Sequence, residues 1–164
     1  MDQPHTAGRP PAEERVATDG TAEAARNVGL VRRFIEEGLN RRDPGSVVKE
    51  LFAPGYVGRL NGDPMRGVGP SHPLLIAESL PGQYPDLRVA LRDAVAAGDW
   101  VAGRFEVTLT HAGTGRTAVA HAAWFLRVAG ARFVEGWLTY DTAPLLRAAG
   151  YALSPPDGAA EPAG

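Results

Sequence analysis

Two polar residues, His121 and Glu135, interrupt strand-like stretches of sequence that are otherwise rich in Ala, Val, Phe and Trp. A histidine titrates near neutral pH, and desolvation among apolar neighbours raises the pKa of a carboxyl group. Each residue could therefore act as a general acid or base. The alternatives are a core or interface histidine, and a surface ion pair of Glu135 with Arg127 or Arg104.

Asp141 and Tyr56 are two further candidates for catalysis. Asp141 ends the last strand-like segment, where its carboxylate could act as an acid or base or could cap the following helix. Tyr56 begins the first strand-like segment. Its hydroxyl could donate a hydrogen bond to a substrate oxygen, or the ring could simply pack in the core.

Other residues are expected to contact a ligand rather than react with it. Arg104 and Glu106 share one face of a strand, where they could hold a carbonyl or carboxylate group or could pair with neighbouring strands. His72 lies on or near the predicted third helix, where it could contact a ligand or remain solvated. Large apolar and aromatic side chains suit a ring-bearing or polyene ligand. Those assigned to ligand contact are Phe105, Trp124, Trp137, Leu138 and Tyr140.

The segments that must position these residues change from helical to strand-like period near Pro85. Apolar residues at helical spacing predict helices over residues 21–39, 44–53, 71–80 and 142–149. Strands are predicted over residues 56–60, 87–95, 100–110, 117–128 and 132–140. Short glycine-containing links predict an antiparallel meander for the last four strands. The fold class is therefore α+β, with helices on one side of a curved antiparallel sheet whose concavity leaves one pocket.

The register of the last hairpin decides which candidate residues meet. A turn centred on Gly130 and Ala131 sets His121 opposite Tyr140 and Trp124 opposite Trp137. A β-bulge would shift every partner by one residue.

Composition restricts the remaining possibilities. The 164 residues fit one domain, and 44% hydrophobic content is enough to build one core. A net charge of −2 without a basic block argues against nucleic acid and anionic membranes as partners. The sequence has no cysteine and four scattered histidines, so we expect no metal and no other cofactor. Polar, low-complexity ends predict disordered tails at residues 1–20 and 154–164 around a domain at residues 21–153. The polar N-terminus lacks the apolar core of a signal peptide, which favours a cytoplasmic location.

Several short strings occur in an order and spacing that resemble the SnoaL-like polyketide cyclases and ester cyclases of the NTF2-like superfamily. They are NVGLVRRFIEEGLN (27–40), LFAPGYV (51–57), GP (69–70), YPDLRV (84–89), GDWVAGR (98–104), THAG (110–113) and FVEGW (133–137) followed by Asp141. The resemblance covers residues 27–150. It implies a cone-shaped fold with one pocket for a small hydrophobic molecule, and commonly a homodimer packed through the outer face of the sheet. A Trp, Phe and Val patch expected on one face of the meander also favours a homodimer.

The resemblance also implies positions for the catalytic groups of an aldol cyclase. The family's acid/base Asp on the final strand falls on Leu138, and a His on the preceding strand falls on Trp124. Both residues are apolar here, so the aldol mechanism does not transfer residue by residue.

Three functions follow as expectations. The first is a cyclase or isomerase that uses acid/base catalysis on a polyketide-like intermediate of secondary metabolism, such as antibiotic biosynthesis. The second is a non-catalytic binding or accessory protein. The third is an epoxide hydrolase or epoxide-opening cyclase, which needs Arg104, Glu106 and Glu135 to face inward around a water. Catalysis is favoured if at least two of His121, Glu135, Asp141, Tyr56 and Arg104 point into one cavity.

Overall fold

Helices cover the inner face of a curved sheet in the computed structural model, which describes residues 13–41, 44–64, 69 and 71–153. The side chains of residues 64, 71, 72 and 74–76 are not described. The helices are α1 (Ala22–Arg33), α2 (Pro44–Leu51), α3 (Ser71–Gln83) and α4 (Thr142–Ala148), and a π-helical segment (Phe34–Asn40) continues α1. The strands are β1 (Arg15–Thr18), β2 (Phe52–Leu60), β3 (Asp63–Pro64), β4 (Arg88–Ala97), β5 (Trp100–Thr110), β6 (Thr117–Ala129) and β7 (Arg132–Tyr140).

The strands in the described part of the chain form one sheet in the order β1-β4-β5-β6-β7-β2-β3. Strands β4 to β7 form the antiparallel meander that the sequence predicts, and the α+β class is confirmed. Two parallel pairings, β1 with β4 and β2 with β7, extend this meander at its two sides and were not predicted.

Strand β1 lies within the segment that the sequence assigns to a disordered tail. Arg15 and Asp93 form an ion pair of 2.6 Å, and the Asp19 carboxylate accepts a hydrogen bond of 2.9 Å from the Gly98 amide. All four residues of the strand are exposed and they pair with a segment almost 80 residues away, so no buried apolar pattern marks the strand in the sequence. The ordered domain therefore begins before residue 21. Residues 1–12 and 154–164 of the predicted tails lie outside the described part of the chain.

The predicted first helix changes from α to π geometry at Phe34. Thr21 caps its start, where the side chain accepts a hydrogen bond of 3.1 Å from the Ala24 amide. At its end the Asn40 side chain pairs with the backbone of Val89, through one donated and one accepted hydrogen bond of 2.9 Å each. This clamp fixes the π-helical segment against β4.

The β6–β7 hairpin turns at Gly130 and Ala131, as predicted, and both residues have positive φ values of 55° and 60°. The register then shifts between Arg127 and Val128, which leaves Val134 as the extra residue of a β-bulge in β7. The bulge accommodates one more residue on β7 than on β6.

The bulge makes the predicted register wrong by one residue. Tyr140 lies opposite Ala122 instead of His121, and Trp124 lies opposite Leu138 instead of Trp137. Because side chains alternate between the two faces of a strand, this shift determines which residues of β7 face the helices.

An aromatic cluster forms the centre of the core. Ring pairs within it have centroids 4.8 to 6.4 Å apart, mostly in edge-to-face arrangements. The members are Phe34, Phe52, Tyr56, Phe105, Trp124 and Phe133. Among the described residues, no helix has the length and apolar character needed to cross a bilayer.

Candidate functional site

A cavity of about 350 Å³ lies between the inner face of the sheet and the helices. The π-helical segment contributes Phe34, Ile35 and Leu39 to its wall, and α3 contributes Ala77 and Leu80. Strands β5, β6 and β7 supply the opposite wall through inward residues. Its size suits an organic molecule of a few fused rings.

The deep end of the cavity is lined by buried aromatic residues, two of which carry a polar atom. Tyr56 and Trp124 retain only 2% and 8% of their exposure. The Tyr56 hydroxyl and the Trp124 indole N–H are both shielded from solvent and have no hydrogen-bond partner among the described residues. Burial raises the pKa of Tyr56, and the nearby Trp124 N–H offsets part of this rise, although no hydrogen bond of good geometry joins the two groups. Tyr56 is therefore a neutral hydroxyl at physiological pH.

Gly136 provides the space for this polar pair. A Cβ at this position would collide with the Tyr56 hydroxyl, and it would lie 3.1 Å from the Trp124 Nε1 atom and 2.8 Å from a methyl group of Leu126. A glycine inside an otherwise apolar strand indicates a close approach of other groups to the backbone. Gly136 was therefore a signal in the sequence that could have located the deep end of the cavity, and it was not used.

The mouth of the cavity carries more exposed polar side chains. Gln83 is exposed, and Tyr84 and Tyr140 are half-buried. The His111 ring packs edge-on against Tyr84 at 5.9 Å, and the Ala112 amide donates a hydrogen bond of 2.9 Å to the Gln83 carbonyl. The β5–β6 loop thereby holds the end of α3. Sequence reasoning did not assign Gln83 or Tyr84 to the site, because the predicted third helix ended at residue 80.

Six of the predicted site residues lie at the cavity wall: Tyr56, Phe105, His121, Trp124, Leu138 and Tyr140. Trp124 and Leu138 are direct partners across β6 and β7. Both lie at the cavity wall and both are apolar, whereas the resemblance described above implies a His and an Asp at these two positions.

His121 borders the cavity, but strand alternation directs its side chain to the outer face. Its neighbours Ala120 and Ala122 supply the inward side chains, and His121 itself is exposed. Across the strands it lies opposite Glu106, whose pKa is lowered first by Arg92 and to a smaller extent by His121.

The remaining candidates do not line the cavity. Glu135 lies on the outer face, where its carboxylate is 3.4 Å from the Arg127 Nε atom and 3.8 Å from Arg59. Trp137 is stacked on Trp100 with ring centroids 5.8 Å apart. The bulge at Val134 places both residues on this face.

Three more polar candidates have partners outside the cavity. Arg104 pairs with Asp93 at 2.6 Å, and Glu106 pairs with Arg92 at 2.6 Å, both as cross-strand ion pairs. Asp141 caps α4 by accepting a hydrogen bond of 3.1 Å from the Ala143 amide. The side chain of His72 lies outside the described part of the structure.

The electrostatic character of the cavity follows from this placement. Among the described residues that line it, no Asp, Glu, Lys or Arg occurs. No group of His, Asp and Glu side chains in the described ranges is arranged to hold a metal ion. The arrangement can bind a neutral apolar molecule and donate hydrogen bonds to it.

Comparison with known proteins relates this geometry to a family. The model of the SnoaL-like polyketide cyclases matches residues 29–149. A candidate SnoaL-like polyketide cyclase from Jannaschia sp. CCS1 superposes with a TM-score of 0.70 at 20% identity, over 79% of this chain and 95% of that protein. IdmH, a candidate polyketide cyclase from Streptomyces antibioticus, superposes with a TM-score of 0.66 at 25% identity, over 76% and 99% of the two chains.

AclR, a candidate hydroxylase from Streptomyces galilaeus, has a TM-score of 0.69 at 24% identity, over 79% of this chain and 99% of that protein. No curated protein matches the chain. The family model covers well over half of the sequence, and the cavity lies within the matched residues. The chain therefore belongs to the SnoaL-like polyketide cyclase family.

Proposed function

We propose that the protein binds a neutral, ring-bearing, polyketide-like molecule in the cavity and promotes its cyclisation by holding it in a folded conformation. The observation that carries this proposal is the cavity wall, which is aromatic and aliphatic and lacks charged side chains among its described residues. A charged ligand would lose its hydration without gaining a partner there, so the wall favours a neutral one.

Confinement is the catalytic contribution that this wall can make. A polyketide chain carries both an enolisable carbon and the carbonyl carbon that it attacks. Ring closure forms one C–C bond, the carbonyl oxygen gains a proton and the attacking carbon loses one, so the step needs no oxidant or reductant. Holding the two reacting carbons in contact lowers the barrier by removing the conformational search that a flexible chain otherwise makes before it reacts.

Binding without turnover is the second candidate function. It is favoured by Trp124 and Leu138, which occupy the positions where the family resemblance implies ionisable groups. Epoxide opening is not proposed, because Arg104, Glu106 and Glu135 lie on the outer face in ion pairs.

The binding step can be tested with 9-fluorenone, a flat neutral tricyclic ketone, followed by calorimetry. Ala122 lines the cavity, whereas its neighbour Ala123 faces outward. We expect Ala122→Phe to fill part of the cavity and weaken binding at least about tenfold, and Ala123→Phe to leave it within about twofold. Equal effects of the two substitutions, or no binding to the wild-type protein, would contradict the proposed cavity function.

The catalytic step can be tested with N-acetylcysteamine thioesters of linear poly-β-ketone chains, whose ring closure is followed by chromatography. We expect the wild-type protein to accelerate closure and Ala122→Phe to lose the acceleration. His121→Gln and Glu135→Gln change side chains on the outer face and should retain it. Binding of 9-fluorenone without any acceleration of closure would support the second candidate function instead.

A further inference from the structure

Two polar groups at the deep end of the cavity have no hydrogen bond of good geometry to any residue that the structure describes. They are the Tyr56 hydroxyl and the Trp124 indole N–H, on residues that are 2% and 8% exposed and that both line the cavity. Buried polar groups are nearly always paired in folded proteins, because an unpaired one loses its hydration without compensation. Two such groups beside a cavity of ligand size therefore suggest that the ligand supplies their hydrogen-bond partner.

The chemistry of the two groups restricts what that partner is. An indole N–H donates and cannot accept. The Tyr56 hydroxyl stays protonated at physiological pH, so it too has a proton to donate. Both atoms lie above Gly136, which brings the two donors to one spot. Two donors at one spot complement an acceptor with two lone pairs, such as a carbonyl oxygen.

We infer that Tyr56 and Trp124 bind a carbonyl oxygen of the ligand at the deep end of the cavity. The inference rests on the proposed function and names the feature of the ligand that the cavity selects, a ketone at the end of the molecule that enters first. Both polar atoms have almost no accessible surface in this structure, so the inference requires the two rings to move and open these atoms to the ligand. The donors then orient the ligand and polarise this carbonyl group.

A pair of probes isolates the carbonyl group. 9-Fluorenone and fluorene have the same three-ring skeleton and differ by a C=O group in place of a CH₂ group. Each affinity is first corrected for the partition of the probe from water into an apolar solvent. After this correction, we expect the wild-type protein to bind 9-fluorenone about five- to tenfold more tightly than fluorene. Tyr56→Phe should remove most of this preference and leave fluorene binding unchanged.

Matched variants separate hydrogen bonding from packing. Trp124→Phe should also reduce the preference for 9-fluorenone. Tyr151→Phe and Trp137→Phe make the same chemical changes outside the cavity, and both should leave the preference intact. Melting temperatures show that each variant is folded before its affinity is compared.

A spectroscopic measurement on the unmodified protein makes the test independent of any variant. The infrared C=O stretch of bound 9-fluorenone should move to lower wavenumber than in cyclohexane, because hydrogen bonding weakens the C=O bond. An unshifted band would overturn the inference and leave the cavity proposal intact. The same holds if the preference for 9-fluorenone over fluorene is equal in the wild-type protein and in Tyr56→Phe. Failure of both probes to bind would overturn both proposals.

Discussion

The inner and outer faces of strands β5 to β7 differ in how their polar side chains find hydrogen-bond and ion-pair partners. On the outer face, charged residues are exposed or half-buried and form ion pairs, such as Arg104 with Asp93 and Arg127 with Glu135. On the inner face the side chains are apolar or aromatic. The Trp124 indole N–H on β6 and the neighbouring Tyr56 hydroxyl on β2 have no hydrogen-bond partner within the described ranges. The presence of a polar residue in a strand therefore does not indicate a functional role until the partners of its side chain are known.

The largest difference between the faces should be in stability. Val128 and Val119 lie on the same strand, on the inner and outer face, with 4% and 53% exposure. We expect Val128→Ala to lower the free energy of unfolding by about 2–3 kcal/mol, through lost burial and a residual cavity. Val119→Ala should lower it by about 0.5 kcal/mol. Urea denaturation measures both, and similar losses for the two variants would show that the outer face is also packed.

Self-association would be the route by which the outer face becomes packed. Phe125 and Trp100 are 56% and 40% exposed on this face, and Trp100 stacks on Trp137. We propose that this patch is covered by a second copy of the chain, and we expect sedimentation equilibrium to show a dimer at micromolar concentration. Phe125→Glu should weaken that dimer at least about tenfold, because each copy would bury a charge. A monomeric wild-type protein at high micromolar concentration would contradict the proposal.

The sequence predicts the strands of the meander well because both faces leave a period-two pattern. Residues 100–110 and 132–140 were assigned as β5 and β7 with the bounds that the structure has. Strand β1 was missed because its residues are exposed and it pairs with a strand that is distant in the sequence. The change to π geometry at Phe34 was missed because the apolar spacing of the helix continues through it.

The candidate site was only partly predictable for a related reason. Tyr56 was selected from its place in the first strand, and the structure puts it in the cavity. Glu135 was selected from its apolar neighbours and Trp137 as a large aromatic side chain, but the face on which they lie depends on one extra residue at Val134. A single-residue bulge reverses the face of every later side chain relative to the partner strand, and alternation in the sequence does not reveal it.

The smallest expected effect is on the stability of the protein when the Tyr56 hydroxyl is removed. Tyr56→Phe removes an unpaired buried hydroxyl and keeps the ring, so near pH 7 the free energy of unfolding should stay unchanged or rise by up to about 1 kcal/mol. Burial raises the pKa of Tyr56 in the folded protein, whereas an unfolded tyrosine ionises near pH 10. Above pH 10 the unfolded chain loses this proton first, so wild-type stability should fall as pH rises, and the loss is absent in Tyr56→Phe. Melting temperatures between pH 8 and 11 measure the effect. Parallel curves for the wild-type protein and Tyr56→Phe would show that the Tyr56 hydroxyl is hydrated and not buried without a partner.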